Sequence, residues 1–224
     1  MTYPAILYAV FNAVGLLAAY LVARRLNRST AAKRVSRGMV AAVIVGGILG
    51  AKIPVWLAYG FSPMFYWDGK SLFGGLLGGF FAMNLYKTVC RIPDGGFGDR
   101  FVIPLCLAAG FGKLGCFFNG CCGGREFLGL VQPTQLYESA FQFLLALLFY
   151  VLYRTGRAGG LWFPIYMVLY MTMRFAIEFL RNEPVFAFHL TVYQILALVF
   201  LPVFAIIIYC RLNRNSSRER SAAQ

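Results

Sequence analysis

The sequence contains little charge, few acidic residues and a single histidine. Only 13% of its 224 residues are charged, eight are acidic, and His189 is the sole histidine. A soluble domain is usually about a quarter charged and about half apolar, whereas this chain is 60% hydrophobic with a mean hydropathy of +0.68. Since the surface positions of a soluble fold must face water, this composition excludes a soluble enzyme, a disordered chain and a secreted disulfide scaffold. It indicates a polytopic membrane protein.

Seven apolar segments are long enough to cross a bilayer core of about 30 Å as helices. They cover residues 4–23, 38–60, 72–89, 100–119, 134–153, 160–180 and 190–210. Glycine and polar residues interrupt the third and fourth segments, which give the weakest signals. The connecting loops are too short to fold alone, so the sequence predicts an all-α membrane protein with one seven-helix domain over residues 1–211 and a basic tail over residues 212–224.

The basic residues fall mainly on one side of this arrangement. Fifteen of the 21 lysines and arginines follow the first, third, fifth and seventh segments, and Lys33, Arg34 and Arg157 are among them. By the positive-inside rule these loops and the C-terminal tail are cytoplasmic, and the N-terminus lies outside. The net charge of +13 therefore reflects orientation in the membrane, and we expect no nucleic-acid partner.

Some charged residues lie where a membrane protein rarely places them. Five ionisable side chains fall within apolar segments: Lys52, Lys113, Glu138, Arg174 and Glu178. Such a group costs about 2.5–3.5 kcal/mol on insertion scales and normally faces a partner or a wet cavity. The pattern predicts a polar chamber, and buried ion pairs with a purely structural role are the alternative.

Helical spacing arranges most of these side chains into two stripes. Tyr170, Arg174, Glu178 and Arg181 recur at intervals of four, four and three residues, and Gln135, Glu138 and Gln142 follow a similar pattern on the fifth segment. We expect Arg174 and Glu178 to pair, and Arg181 to lie near the outer water. If the stripes face each other beside Lys113, cations exceed carboxylates, and the chamber suits a phospholipid because arginine binds phosphate in a bidentate manner.

Glycines form a second pattern, in the third segment. Gly74 and Gly75 each have another glycine four residues later, which is the small-xxx-small spacing of close helix crossings. The same smooth face would also let a lipid headgroup approach the backbone. Both interpretations stay open.

Four stretches of the sequence resemble the motifs of one family. They are residues 71–79 (SLFGGLLGG), 112–125 (GKLGCFFNGCCGGR), 132–138 (QPTQLYE) and 170–181 (YMTMRFAIEFLR). In order, they are similar to S-F-H-G-G-L-I-G-G, G-R-I-G-N-F-x-N-G-x-x-x-G-R, H-P-[ST]-Q-L-Y-E and Y-G-x-x-R-F-x-x-E-F-x-R. Residues 50–52 (GAK) also resemble a G-A-R. These are motifs of the prolipoprotein diacylglyceryl transferases, bacterial membrane enzymes that transfer diacylglyceryl from phosphatidylglycerol to a lipoprotein cysteine.

The resemblance implies a transferase of the bacterial inner membrane, with its N-terminus and its site on the periplasmic side. Its donor would be phosphatidylglycerol or a similar anionic phospholipid, and its acceptor a lipoprotein or another periplasmic molecule; we expect no cofactor and no metal. The implied catalytic residues are Lys113, Glu138, Arg174 and Glu178. The implied substrate-binding residues are Lys52, Gly74, Gly75, Asn119, Gly124, Arg125, Gln135, Tyr137, Tyr170 and Arg181.

The sequence also departs from the family pattern. Phe73 and Gln132 replace histidines, Lys113 replaces an arginine, and Cys116 replaces an asparagine. The stretch between Arg125 and Gln132 is short, where full-size enzymes carry a larger periplasmic insertion. We therefore expect a divergent transferase whose acceptor can differ from a prolipoprotein, and the alternative is a non-catalytic protein that binds or moves phospholipid.

Three cysteines cluster near the outer end of the fourth segment. Cys116, Cys121 and Cys122 contain no C-x-x-C pair, which argues against a thiol oxidoreductase. Three cysteines without a nearby histidine give only a weak zinc signal. A disulfide between Cys116 and Cys121, which an oxidising periplasm would permit, or simple packing is the expectation.

Overall fold

A computed structural model of the protein describes residues 3–29, 36–60, 69–92, 97–127, 129–156 and 159–222. These residues form seven α helices: α1 (Tyr3–Ser29), α2 (Arg37–Tyr59), α3 (Leu72–Val89), α4 (Asp99–Phe118), α5 (Thr134–Thr155), α6 (Trp162–Ile177) and α7 (Val192–Ala222). A 3₁₀ turn, Glu178–Leu180, continues α6. Two short antiparallel hairpins complete the described part, β1 (Glu126–Phe127) with β2 (Leu130–Val131) and β3 (Val185–Ala187) with β4 (Leu190–Thr191).

Six of the helices in the described residues are long and apolar enough to span a membrane. Their candidate spans are Tyr3–Leu26, Arg37–Tyr59, Asp99–Phe118, Thr134–Thr155, Trp162–Leu180 and Val192–Arg214. Helix α3 is not among them, because four glycines, Asn84 and Lys87 reduce the hydropathy of its 18 residues. The prediction of an all-helical, multi-pass membrane protein is confirmed. Lys33, Arg34 and Arg157, which carry part of the predicted cytoplasmic charge, lie outside the described residues.

The chain divides into two compact units, and the first contains α1, α4, α5, α6 and most of α7. Aromatic packing joins its helices: Phe111 on α4 meets Phe143 on α5 edge-on at 5.1 Å, and Phe149 on α5 contacts Tyr166 on α6. The buried carboxylate of Asp99 accepts a hydrogen bond of 3.1 Å from the backbone N–H of Phe163. The starts of α4 and α6 are thereby held together.

The second unit contains α2, α3, the β3–β4 hairpin and the start of α7. Helices α2 and α3 cross at glycines, because a Cβ on Gly50 would overlap the backbone of Gly74 and Gly78. Gly75 faces Gly47 and Ala51 across the same crossing with slightly more room. The small-xxx-small spacing therefore acts here in close helix packing.

Candidate active site

A buried carboxylate on α5 forms the centre of the site. Glu138 is only 1% exposed, and its Oε2 lies 2.7 Å from Nζ of Lys113 on α4. Its Oε1 lies 3.4 Å from an NH1 nitrogen of Arg174 on α6 and 3.2 Å from that of Arg181, just after the 3₁₀ turn. Arg174 also contacts Glu178 at 3.0 Å through its other terminal nitrogen. We call Lys113, Glu138, Arg174, Glu178 and Arg181 the Glu138 cluster.

The Glu138 cluster carries more positive than negative charge. Its three cations face two carboxylates, and both carboxylates are almost fully buried. Lys113 is its most accessible member, with a side chain that is 14% exposed. Because buried charge is costly unless it is compensated, this arrangement is chemically suited to receive an anionic group beside Lys113.

The two predicted stripes do face each other. Arg174 pairs with Glu178 at i,i+4 as expected, and Glu138 lies between the stripes with Arg174. One turn further along, Gln142 on α5 and Tyr166 on α6 are hydrogen-bonded at 3.3 Å. Tyr170 is buried and stacks on Tyr166 with ring centroids 6.0 Å apart. These predicted contacts between helical faces are confirmed.

Arg181 lies deeper in the protein than the sequence predicts. The spacing of the stripe predicts a position near the outer water, but Arg181 is 6% exposed and contacts Glu138. Helix α6 ends at Ile177, and after the 3₁₀ turn Arg181 is extended and forms a β-bridge with Gly124. This non-local pairing turns Arg181 inward, so the idea of one straight helical stripe is wrong at its last member.

Residues after α4 support this position of Arg181. The N–H of Arg125 donates to the Leu180 carbonyl at 2.6 Å, and its Nε donates to the Arg181 carbonyl at 2.7 Å. Gly124 is required here, because a Cβ would meet the Leu180 carbonyl and Gln132. Gly124 and Arg125 thus position a member of the cluster, although Arg125 itself is an exposed residue.

The other predicted site residues are not members of the Glu138 cluster. Gln135 is buried and donates a hydrogen bond of 2.7 Å to the Cys121 carbonyl, while the exposed Tyr137 donates to Gln132. Asn119 caps the end of α4 and is exposed. Lys52, Gly74 and Gly75 belong to the second unit, Lys52 as a half-buried residue of α2 and the glycines on α3.

The three outer cysteines come together next to this cluster. All six cysteines lie within the described residues and are free thiols, so the bridge expected between Cys116 and Cys121 is not present. The sulfurs of Cys116, Cys121 and Cys122 all lie within 4.8 Å of one another. A hydrogen bond from the Cys116 thiol, together with the charges of Lys113 and Arg181, lowers the pKa of Cys122 to about 5.

Thr134 helps to fix the loop beside the Glu138 cluster, and the sequence analysis does not single it out. Its hydroxyl donates to the Cys122 carbonyl at 3.0 Å, and a nitrogen of Arg181 donates to the same carbonyl at 3.3 Å. The only sequence signal was its place in the QPTQLYE stretch at the start of α5. Its hydrogen bond is to a backbone atom distant in sequence, which no spacing rule predicts.

The fold and the site define a class: a multi-pass membrane protein with a buried, net-positive ionic cluster. The model of the prolipoprotein diacylglyceryl transferase family matches residues 3–210. The chain belongs to this family and is therefore a transferase. It is similar to a phosphatidylglycerol–prolipoprotein diacylglyceryl transferase of Clostridium tetani, with 29% identity over 202 residues that cover 79% of this chain and 81% of the relative. A Dehalococcoides mccartyi protein of the same name is 30% identical over 210 residues, covering 81% of this chain and 80% of that protein.

Proposed function

We propose that this protein is a phospholipid-dependent transferase of the bacterial inner membrane, which moves the diacylglyceryl group of phosphatidylglycerol to a lipoprotein or another periplasmic acceptor. The convergence of Lys113, Arg174 and Arg181 on one buried carboxylate carries the proposal. A phospholipid headgroup offers the anion that such a cluster needs, and its acyl chains suit a site between membrane-spanning helices. The substrates come from the names of the relatives.

We also propose seven spans, with α3 as the remaining one, over a transferase-like domain of residues 1–211. The 18 residues of α3 extend about 27 Å at 1.5 Å per residue, close to the thickness of the hydrocarbon core. Seven spans with basic cytoplasmic loops put the N-terminus in the periplasm and the tail of residues 212–224 in the cytoplasm. The outer end of α4 and the Glu138 cluster then open to the periplasmic side.

The reaction is a substitution at the diacylglyceryl carbon. The sulfur of the acceptor thiol forms a bond to this carbon while the carbon–oxygen bond to phosphate breaks, so that glycerol phosphate leaves with the bonding electrons. The thiol proton passes to the solvent or to the departing phosphate. Negative charge accumulates on the leaving phosphate, and cations fixed in a dry site stabilise it without having to reorganise.

Each residue of the cluster receives a role in this proposal. Lys113 and Arg174 stabilise the leaving phosphate, and Arg181 and Arg125 flank it. Glu138 and Glu178 hold these cations in place. Lysine at position 113 keeps the charge but provides a point contact in place of the planar fork of arginine. The remaining groups of the first unit around the lipid would be Asn119, Gly124, Gln135, Tyr137 and Tyr170. Lys52, Gly74 and Gly75 of the second unit are substrate-binding candidates on the motif resemblance alone.

The proposal is tested with the purified full chain in mixed micelles of detergent and phosphatidylglycerol, with a lipoprotein-signal peptide that contains one cysteine. Mass spectrometry should find glycerol phosphate and a peptide heavier by one diacylglyceryl group. Arg174→Gln should form neither product. Arg154→Gln changes an exposed arginine in the last turn of α5, at the end opposite to Glu138, and should form both. Absence of both products with phosphatidylglycerol and several thiol acceptors would reject the transferase function.

One observation favours a second function, the non-catalytic binding or movement of phospholipid. Phe73 stands where the family motif has a histidine, and it is 1% exposed within the second unit. No imidazole is therefore available at that position. Under this alternative the protein binds phosphatidylglycerol micelles in an Arg174-dependent manner without releasing glycerol phosphate.

A further inference from the structure

Three thiols of the first unit form a compact group that the transfer reaction does not use. Cys116 lies in the last turn of α4, and Cys121 and Cys122 lie in the loop that follows. Their sulfurs are all within 4.8 Å of one another. Zinc–sulfur bonds of about 2.3 Å place ligand sulfurs roughly 3.8 Å apart around one ion. A contraction of about an ångström would therefore let all three sulfurs bind the same ion.

The backbone that carries these thiols is held in an unusual conformation. Cys122 has a φ of 63°, in the left-handed region that residues other than glycine and asparagine seldom adopt. Gln135 donates a hydrogen bond to the Cys121 carbonyl, and Thr134 and Arg181 donate to the Cys122 carbonyl. These bonds fix two consecutive residues in the geometry that brings both thiols towards Cys116. Such strained, hydrogen-bonded positions are typical of functional sites.

Charge and access also favour a bound cation with thiolate ligands. Three thiolates and one Zn²⁺ carry a net charge of −1, and Lys113, one helical turn before Cys116, contributes positive charge nearby while it contacts Glu138. Arg181 contributes a second positive charge at the Cys122 carbonyl. Cys122 is exposed and the other two thiols are partly exposed, so an ion has a route from solvent. Thiolates select soft and borderline metals over Mg²⁺ or Ca²⁺.

We propose that Cys116, Cys121 and Cys122 bind one Zn²⁺ ion through three thiolates, with the fourth tetrahedral position open to water or to a small exogenous thiol. Each thiol releases its proton to solvent as its sulfur–zinc bond forms, and nothing is oxidised or reduced. Three protein ligands with one open position are the usual arrangement of reactive zinc sites. The ion would also link the end of α4 to the following loop, in which the Cys122 carbonyl accepts a hydrogen bond from Arg181.

Metal content of the wild-type protein tests this proposal directly. The full chain is purified in detergent with a non-chelating reductant, incubated with Zn²⁺ and passed through a desalting column. Elemental analysis should find about one zinc per chain. Substitution with Co²⁺ should give the intense near-ultraviolet absorption of cobalt–thiolate bonds. Retention of no zinc, or a Co²⁺ spectrum without thiolate bands, would overturn the proposal.

Matched cysteine variants assign the ligands. Cys116→Ser, Cys121→Ser and Cys122→Ser should each weaken zinc binding by more than about tenfold, because even second-shell changes cost about 10–100-fold in metal affinity. Cys90→Ser and Cys210→Ser, which change exposed cysteines elsewhere, should leave it unchanged. Equal zinc binding by all five variants would overturn the assignment, as would a disulfide among the three thiols that persists in the reductant. The zinc content and the cobalt spectrum are measured on the wild type. They therefore decide the proposal even if a cysteine variant fails to fold.

Discussion

Removal of the negative charge of Glu138 is the most direct perturbation of the site. Glu138→Gln keeps the shape of the side chain, but Lys113, Arg174 and Arg181 lose the carboxylate they share at 2.7, 3.4 and 3.2 Å. At an effective dielectric constant of 20, each pair is worth about 5–6 kcal/mol of Coulomb energy before desolvation and cation repulsion are included. Removal of one partner of a buried ion pair typically costs about 3–5 kcal/mol. We expect the free energy of unfolding to fall by about that amount.

Thermal unfolding in detergent, followed by tryptophan fluorescence, measures this effect. At about 2–4 °C per kcal/mol, the apparent Tm should fall by roughly 10 °C. Phosphatidylglycerol should raise the Tm of Glu138→Gln more than that of the wild type, because the lipid phosphate partly replaces the lost carboxylate, and phosphatidylcholine should do so less. Glu126→Gln, at an exposed acidic residue of β1, is the matched control and should leave Tm unchanged. A Tm for Glu138→Gln equal to that of the wild type would refute the reasoning.

Substitutions at Lys113, Arg174 and Gly124 test the parts of the site. Lys113→Arg should preserve glycerol phosphate release, because it keeps the charge and its guanidinium adds a second contact. Lys113→Gln, which removes the charge, should abolish the release. Equal rates of release for the two variants would contradict the role of the charge. Arg174→Lys cannot contact Glu138 and Glu178 through two separate nitrogens, and turnover in the same assay should fall by roughly 10²–10³-fold. Gly124→Ala would bring a Cβ against the Leu180 carbonyl and should reduce stability by about 1–3 kcal/mol together with activity. Gly123→Ala is its control, because a new Cβ there would have ordinary contact distances. Equal free energies of unfolding for the two variants would refute the packing argument.

The length of the apolar runs predicted the helices, and helical spacing predicted the contacts between their polar faces. The predicted segment over residues 134–153 corresponds to α5, Thr134–Thr155, because an apolar run of this length has few other conformations in a membrane. The pairing of Arg174 with Glu178 followed from the i,i+4 spacing alone. The contact between Glu138 and Arg174 agrees with the expectation that the polar stripes of the two adjacent segments face each other, although the spacing did not specify this pair.

The loop after α4 could not be predicted in this way. The burial of Arg181 depends on its bridge to Gly124, more than fifty residues earlier in the chain, and on the end of α6 at Ile177. The grouping of three sulfurs depends on the left-handed backbone at Cys122, which a cysteine does not signal in sequence. Propensity and spacing describe contacts within an element or between regular faces, whereas these contacts are set by tertiary hydrogen bonds.

The surplus of cations in the Glu138 cluster favours a ligand site over a purely structural ion pair. If the cluster served packing alone, apolar residues of similar volume would be as stable or more stable, and a third cation would add its own desolvation cost. Arg174 pairs with Glu178, and it shares Glu138 with Arg181 and Lys113, so three cations share two carboxylates. Lys113 makes the shortest contact with Glu138, 2.7 Å, and is also the most accessible of the three cations. An accessible cation in excess of the carboxylates favours the binding of an anion, and anionic lipids are the anions that a membrane supplies.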